Sequence, residues 1–276
     1  SANVEHAFFG PLDGSSWTTF DAPFDGTTGT EARSINDDGA IVGIATNPKF
    51  KVGEEFYRAP DGTFTVFEKD GQPLDGIAQG LDDDDLNVGD YIKPNEKIVG
   101  YLGQNGKYSK DFLLRQGYKD FPQISPRGRI TAGNTIYVVG FLVNPQGGQS
   151  VFIYDKVPRL HAHTREIGHP DATGTALEGI NKSLVASGQW TNSAGHSHGF
   201  TYRLHNGNYV DLDPLDGSTS QQAWGINDHN LVALSTSSGT SYIYCPRIVD
   251  KCPAQGLTHP RRRGQNTGVH PESETR

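Results

Sequence analysis

The sequence predicts an all-β chain, a five-bladed β-propeller whose last blade is completed by the N-terminal segment. Three observations predict it. A phrase recurs: Ala32-Arg33-Ser34-Ile35-Asn36-Asp37-Asp38-Gly39-Ala40-Ile41-Val42-Gly43 returns as Ala223-Trp224-Gly225-Ile226-Asn227-Asp228-His229-Asn230-Leu231-Val232-Ala233. Weaker copies are Ala78-Gln79-Gly80-Leu81-Asp82 and Leu177-Glu178-Gly179-Ile180-Asn181, and a degenerate one lies near Ile130-Thr131-Ala132. With Ile35, Leu81, Ala132, Ile180 and Ile226 as equivalents the steps are 46, 51, 48 and 46 residues, a period that suits one small sheet per repeat. Second, the 34 Gly and 16 Pro are spread along the chain rather than gathered in one tract, as many short strands and turns require. Third, the element count closes: the N-terminus has strands to spare and the last repeat lacks one.

Each repeat reads as four strands. The first ends at the Ile-Asn pair. Asn36-Asp37-Asp38-Gly39 is a hairpin turn, because Asn, Asp and Gly tolerate positive φ and bond to nearby backbone. The second strand, Ala40 to Ala45 in the first copy, has β-branched residues suited to burial on both faces. The third carries an aromatic: Phe56, Phe112, Phe152, Phe200 or Tyr242. The fourth is aromatic and alternating, as in Phe64 to Phe67, Tyr118 to Phe121 and Tyr209 to Leu212. In the second repeat the hairpin reads about ten residues longer than in the first. His6-Ala7-Phe8-Phe9 and Trp17-Thr18-Thr19-Phe20 carry third- and fourth-strand signatures, and the last repeat stops after Tyr242-Ile243-Tyr244. Joining these ends removes an exposed sheet edge. An open solenoid is the alternative, but no capping sequence is visible at either end.

One domain is expected over residues 1–253, with a disordered tail over 254–276 that holds Arg261-Arg262-Arg263. Net charge is −8 and the repeats hold no basic stripe, which argues against nucleic acid as a partner. No run of 18 apolar residues occurs, so no membrane span is expected. Cys245 and Cys252, each before Pro, are expected to form a disulfide; two reduced thiols are the alternative. Asn181-Lys182-Ser183 is an N-glycosylation sequon on a turn. With the absence of Met and the start at Ser1, these features lead to the expectation of a processed, secreted chain.

His6-Ala7-Phe8, its variant His198-Gly199-Phe200, and Gly225-Ile226-Asn227-Asp228 resemble the repeats of bacterial extracellular proteins named for a His-Ala-Phe motif. That resemblance spans nearly the whole repeat region and departs most in the third copy. It implies extracellular propeller-like modules and no defined reaction. The Cys-Pro segment and basic, Pro-rich tail give a looser likeness to fungal hetero-Diels–Alderases of tropolone–sesquiterpene pathways. That likeness implies a catalyst joining a tropolone quinone methide to a humulene-type sesquiterpene.

No Gly-x-Ser-x-Gly, phosphate loop or His-Glu-x-x-His occurs, and no cofactor or metal is expected. His161-Ala162-His163 places two imidazoles on one strand face. With Glu166 or His169 they form only a partial metal set. His196-Ser197-His198 has the same spacing, but His198 sits at a repeat position and reads as scaffold. Asp82-Asp83-Asp84-Asp85 with Asp90 lacks EF-hand spacing and reads as an acidic loop. The sharper clue is the position two before the Ile-Asn pair. It varies as Arg33, Gln79, Ile130, Glu178 and Trp224 between small, uniform neighbours. Such a ring is expected near the channel mouth; the alternative is space filling between blades.

The expected assignment is therefore Arg33, Glu178 and His161 as catalytic groups, with Gln79, Ile130, His163, Trp190 and Trp224 contacting a small-molecule substrate. A cycloaddition fits a site without nucleophile or metal, since it needs reactants held close and a polarised carbonyl. A carbohydrate- or protein-binding module is the alternative, and a hydrolase or lyase with dispersed acid–base residues is more distant. Divergence between repeats argues against several equivalent sugar sites. Oligomeric state is not legible.

Overall fold

A computed structural model describes residues 4–11, 15–112, 118–157, 162–212 and 217–245. β1 (Ala7–Phe9) and β2 (Thr18–Phe20) form a hairpin. The first meander is β3 (Gly29–Ile35), β4 (Ile41–Thr46), β5 (Glu54–Arg58) and β6 (Phe64–Val66). A short hairpin follows, β7 (Glu68–Lys69) and β8 (Gln72–Pro73). The second meander is β9 (Gly76–Leu81), β10 (Leu86–Ile92), β11 (Ile98–Gln104) and β12 (Lys107–Asp111). The third is β13 (Gln123–Ala132), β14 (Thr135–Val143), β15 (Gln149–Lys156) and β16 (His163–Ile167). The fourth is β17 (Gly174–Ile180), β18 (Val185–Thr191), β19 (Ser197–Arg203) and β20 (Asn208–Leu212). The last is β21 (Gln221–Ile226), β22 (Val232–Thr236) and β23 (Ser241–Tyr244).

The first strands pack in sequence, β3 on β9, β9 on β13, β13 on β17 and β17 on β21. This is the propeller arrangement, with each sheet burying its faces on its neighbours. Apolar clusters fill the gaps between sheets. Tyr57 and Phe67 of the first meet Ala78, Tyr91 and Tyr101 of the second. Val151 and Ile153 of the third meet Leu177, Trp190 and Phe200 of the fourth.

The third-strand aromatic lies opposite a glycine of the second strand: Gly43↔Phe56, Gly140↔Phe152 and Gly188↔Phe200. In the second meander the pair is Gly89↔Tyr101, not Phe112, which follows β12. Its second strand is β10, because Asn87 and Asp90 lie in a buried strand. The hairpin is therefore tight and not ten residues longer: Asp82 N–H donates to Leu86 O at 3.0 Å. Tyr118 to Phe121 is a turn rather than a fourth strand, closed by Phe121 N–H to Tyr118 O at 3.2 Å.

The expected joining of the two ends is not seen among the described residues. β1 pairs with β2 alone, and among the described residues no strand pairs on the outer edge of β23. The hairpin is instead held on the first meander. Thr30 N–H donates to Glu5 O (2.9 Å) and Ala22 N–H to Thr30 Oγ1 (3.0 Å). Phe9 and Phe20 pack with Ile41, Ala45 and Phe56. The tail expected at 254–276 and the boundary at 253 lie outside the described residues.

Candidate functional site

Every first strand carries one irregularity at the same place. The registers skip Arg33 (Ala32↔Gly43, then Ser34↔Val42), Gln79, Arg127, Glu178 and Trp224. A bulged residue leaves the ladder and re-aims its side chain. Here all five re-aimed side chains line one cavity of about 30 Å³, room for one or two waters. The residue after each bulge is small: Ser34, Gly80, Gly128, Gly179 or Gly225. A Cβ on Gly80 would lie 2.3 Å from Arg127 O, and one on Gly128 3.1 Å from Gly179 Cα. Bare backbone is what lets the inner strands crowd and the bulged side chains converge.

The cavity is polar. Arg33 Nη2 pairs with Glu31 Oε2 at 2.7 Å, and Arg127 Nε lies 3.7 Å from Glu178 Oε2, an ion pair without a hydrogen bond. Glu178 Oε1 accepts from Gln189 Nε2 at 3.4 Å. Behind Gln79, buried Asp90 accepts from Gln79 Nε2 (3.5 Å) and from Ser125 Oγ. Burial raises the Glu178 and Asp90 carboxyls above the ordinary range, opposed by Arg127 and Arg33. The Nε atoms of Arg33 and Arg127 are buried and without a hydrogen-bond partner. Trp224 donates Nε1–H to Ser235 Oγ at 2.8 Å and is 39% exposed. Two guanidinium groups beside a partly exposed tryptophan can hold an acceptor oxygen of a planar molecule.

The neighbouring turns interlock. Asn36 Nδ2 donates to Asp82 O (3.3 Å) and Asp85 Oδ1 (3.0 Å); Asn181 Nδ2 donates to Asn227 O (2.8 Å) and Asn230 Oδ1 (2.9 Å). Lys182 Nζ reaches Asp83 of the second meander at 2.6 Å and Asp228 of the last at 3.3 Å. The hydrogen bond to Asp83 raises the Lys182 ammonium above its ordinary value.

Arg33, Gln79, Glu178 and Trp224, singled out in the sequence, thus line one cavity, with Arg127, which the sequence reading did not single out. Ile130 is corrected: it is 6% exposed in the core between the third and fourth meanders, three residues beyond the bulge. It stands where the other repeats have the turn Asn or Asp, because β13 and β14 run on past that point. Trp190 is also corrected. It is core, flat against His169 (4.3 Å) and His198 (4.4 Å), with Nε1–H on Asp211 Oδ1 at 2.9 Å. His163 is exposed on outer strand β16, 3.5 Å from Asp155, and does not line the cavity. His161 and Cys252 lie outside the described residues; Cys245 is buried. A glycan on Asn181 is incompatible with the fold, since Asn181 is 2% exposed and both Nδ2 donations are used. Among the described residues no group of three or more His, Cys, Asp or Glu is placed to hold a metal, and no helix is long and apolar enough to cross a membrane.

No family model and no curated protein matches the chain. Among solved structures it is similar to virginiamycin B lyase from Staphylococcus aureus (TM-score 0.41, 11% identity, 84% of each chain covered). It is also similar to a mutant of AofleA from Arthrobotrys oligospora (TM-score 0.47, 12% identity, 83% of this chain and 72% of that one). A third likeness is to an Aleuria aurantia lectin mutant in complex with α-methyl-L-fucoside (TM-score 0.46, 8% identity, 87% and 89% covered). At these scores the fold and the site rest on strand pairing and side-chain geometry alone.

Proposed function

We propose that this protein is a propeller-type binding module with one ligand site at the axial cavity. Its ligand is a small organic molecule that presents a carbonyl or anionic oxygen to Arg33 and Arg127. The observation that carries the reading is the convergence of five bulged side chains of differing chemistry, one from each repeat. Repeated sugar sites would call for like residues at like positions; here only Arg recurs, beside single Gln, Glu and Trp side chains.

The finer reading is a hetero-Diels–Alder catalyst for a tropolone quinone methide and a humulene-type alcohol. Arg33 and Arg127 would polarise the carbonyl, Glu178 would hold the Arg127 guanidinium in place beside it, and Trp224 would hold the ring in stacking contact. A cavity of about 30 Å³ admits only the oxygen-bearing edge, so both hydrocarbon bodies would lie outside it. Location in a secretory compartment and a Cys245–Cys252 disulfide belong to the same proposal. Alkylation of Cys245 and Cys252 without reduction would count against the disulfide.

The test uses the full chain with tropolone, then with the quinone-methide precursor and humulene alcohol. Binding is expected to quench Trp224 and to weaken about tenfold or more in Arg127→Ala. Quenching that survives Arg127→Ala and Trp224→Phe would overturn the binding reading. Adduct formed no faster, and no more stereoselectively, than in buffer would overturn only the catalytic one.

A further inference from the structure

Behind the five bulged side chains stands a second set of residues at one repeat position. Strand pairing sets Glu31↔Ile44, Ile77↔Asp90, Ser125↔Phe141, Ala176↔Gln189 and Gln222↔Ser235. The first member of each pair lies two residues before the bulge. The second member directly follows Gly43, Gly89, Gly140, Gly188 or Leu234 on the second strand. The bulged residue is therefore the diagonal neighbour of that second-strand position, within reach of a long side chain.

The chemistry at that position follows the side chain in front of it. Asp90 accepts from Gln79 Nε2 at 3.5 Å. Gln189 gives Nε2–H to Glu178 Oε1 at 3.4 Å. Ser235 Oγ takes the indole N–H of Trp224 at 2.8 Å. Phe141 offers no polar group and lies instead against the Arg127 guanidinium, whose Cζ stands 4.9 Å from the ring centroid, a cation–π contact. The first meander keeps the match by exchanging the strands. There the second-strand residue is Ile44, and Glu31 opposite it pairs with Arg33 at 2.7 Å. Packing alone asks only for an apolar residue at this buried position, and an aliphatic one stands only where Glu31 supplies the partner. A side chain braced in this way meets its ligand with its rotamer already chosen.

We propose that Glu31, Asp90, Phe141, Gln189 and Ser235 are positioning residues, which fix the five bulged side chains in the orientation that selects the axial ligand. The proposal rests on the axial binding reading for its ligand and on the cross-strand contacts for its geometry. It gives each repeat a two-residue unit, a bulged residue that meets the ligand and a neighbour that aims it.

The test uses the full chain, with tropolone titrated by calorimetry. Phe141→Leu keeps an apolar side chain and loses the ring. It is expected to weaken tropolone about fivefold or more with little change in Tm. Phe141→Tyr keeps the ring and brings a hydroxyl into a position only 9% exposed, so it is expected to bind as the parent does with a lower Tm. Without ligand, the Arg127 Nε–H proton, shielded by the ring, should move downfield in Phe141→Leu and return in Phe141→Tyr. The Trp224 indole N–H should move upfield in Ser235→Ala and return in Ser235→Thr. Affinity that follows Tm through the Phe141 variants would make the ring mere packing and overturn the proposal. Resonances indifferent to these substitutions would overturn it as well. Resonances that respond, in a protein that binds no tropolone, would uphold the positioning contacts and overturn only the ligand reading on which the selection rests.

Discussion

Asn181→Ala measures how firmly the turns lock neighbouring sheets. Asn181 makes four side-chain hydrogen bonds. Its Oδ1 accepts from Ser183 N–H and Val185 N–H, both at 3.1 Å, and Nδ2 donates to Asn227 O and Asn230 Oδ1 at 2.8 and 2.9 Å. A net hydrogen bond contributes about 1 kcal/mol, and a buried group left unpaired costs more. Water can replace the exposed Ser183 partner, so the expected loss is about 3 kcal/mol. Asn181→Asp keeps the acceptor but sets a buried carboxylate oxygen against the Asn227 and Asn230 oxygens, and should cost at least as much as the alanine. The single alanine at Asn230 removes one acceptor, and a double-mutant cycle should return a coupling near 1 kcal/mol. The assay is urea unfolding followed by circular dichroism, with the slope checked for constancy. A loss under about 0.5 kcal/mol for Asn181→Ala would refute the interlock, since surface substitutions reach that much without any lock.

Three further outcomes follow from the same geometry. Fully buried Glu55 is raised well above the carboxylate range by burial, against the hydrogen bond from Tyr101 Oη–H. The folded state then keeps a proton that the unfolded chain releases above its value of 4.5, so stability falls as pH rises from there. Glu55→Gln should flatten part of that slope in Tm against pH, and an unchanged slope would contradict it. Lys182→Ala, at a half-exposed ion pair, should cost up to about 1 kcal/mol at low salt and less at high salt in chemical unfolding; a cost independent of salt would contradict the clasp. Trp190→Ala should cost about 3–5 kcal/mol without changing ligand affinity, and a selective loss of binding would return Trp190 to the site.

Much of the site was legible because the repeat exposes its own exceptions. Arg33, Gln79, Glu178 and Trp224 stood out against uniform neighbours, and those neighbours are small because inner backbones touch. The bulge that unites them leaves no mark in residue type. Arg127 was missed because the third repeat was anchored on Ala132, where β13 overruns the turn. Its signal was present: Arg127-Gly128 repeats the pattern of Gln79-Gly80, Glu178-Gly179 and Trp224-Gly225. In the second repeat, Asn87 and Asp90 made a buried strand look like part of a long acidic hairpin loop. Asp90 is tolerated there because it faces Gln79, Ser125 and Arg127. Trp190 misled because an aromatic near a strand end fits a site wall or a core equally well until its stacking partners are known.

Labelling the three Trp with 5-fluorotryptophan and recording ¹⁹F spectra tests the convergence most directly. Alanine at Arg33, Gln79, Arg127 or Glu178, each from a different repeat, should move the Trp224 resonance and leave Trp17 in place. A Trp224 resonance indifferent to all four would mean that the bulged side chains do not share a cavity.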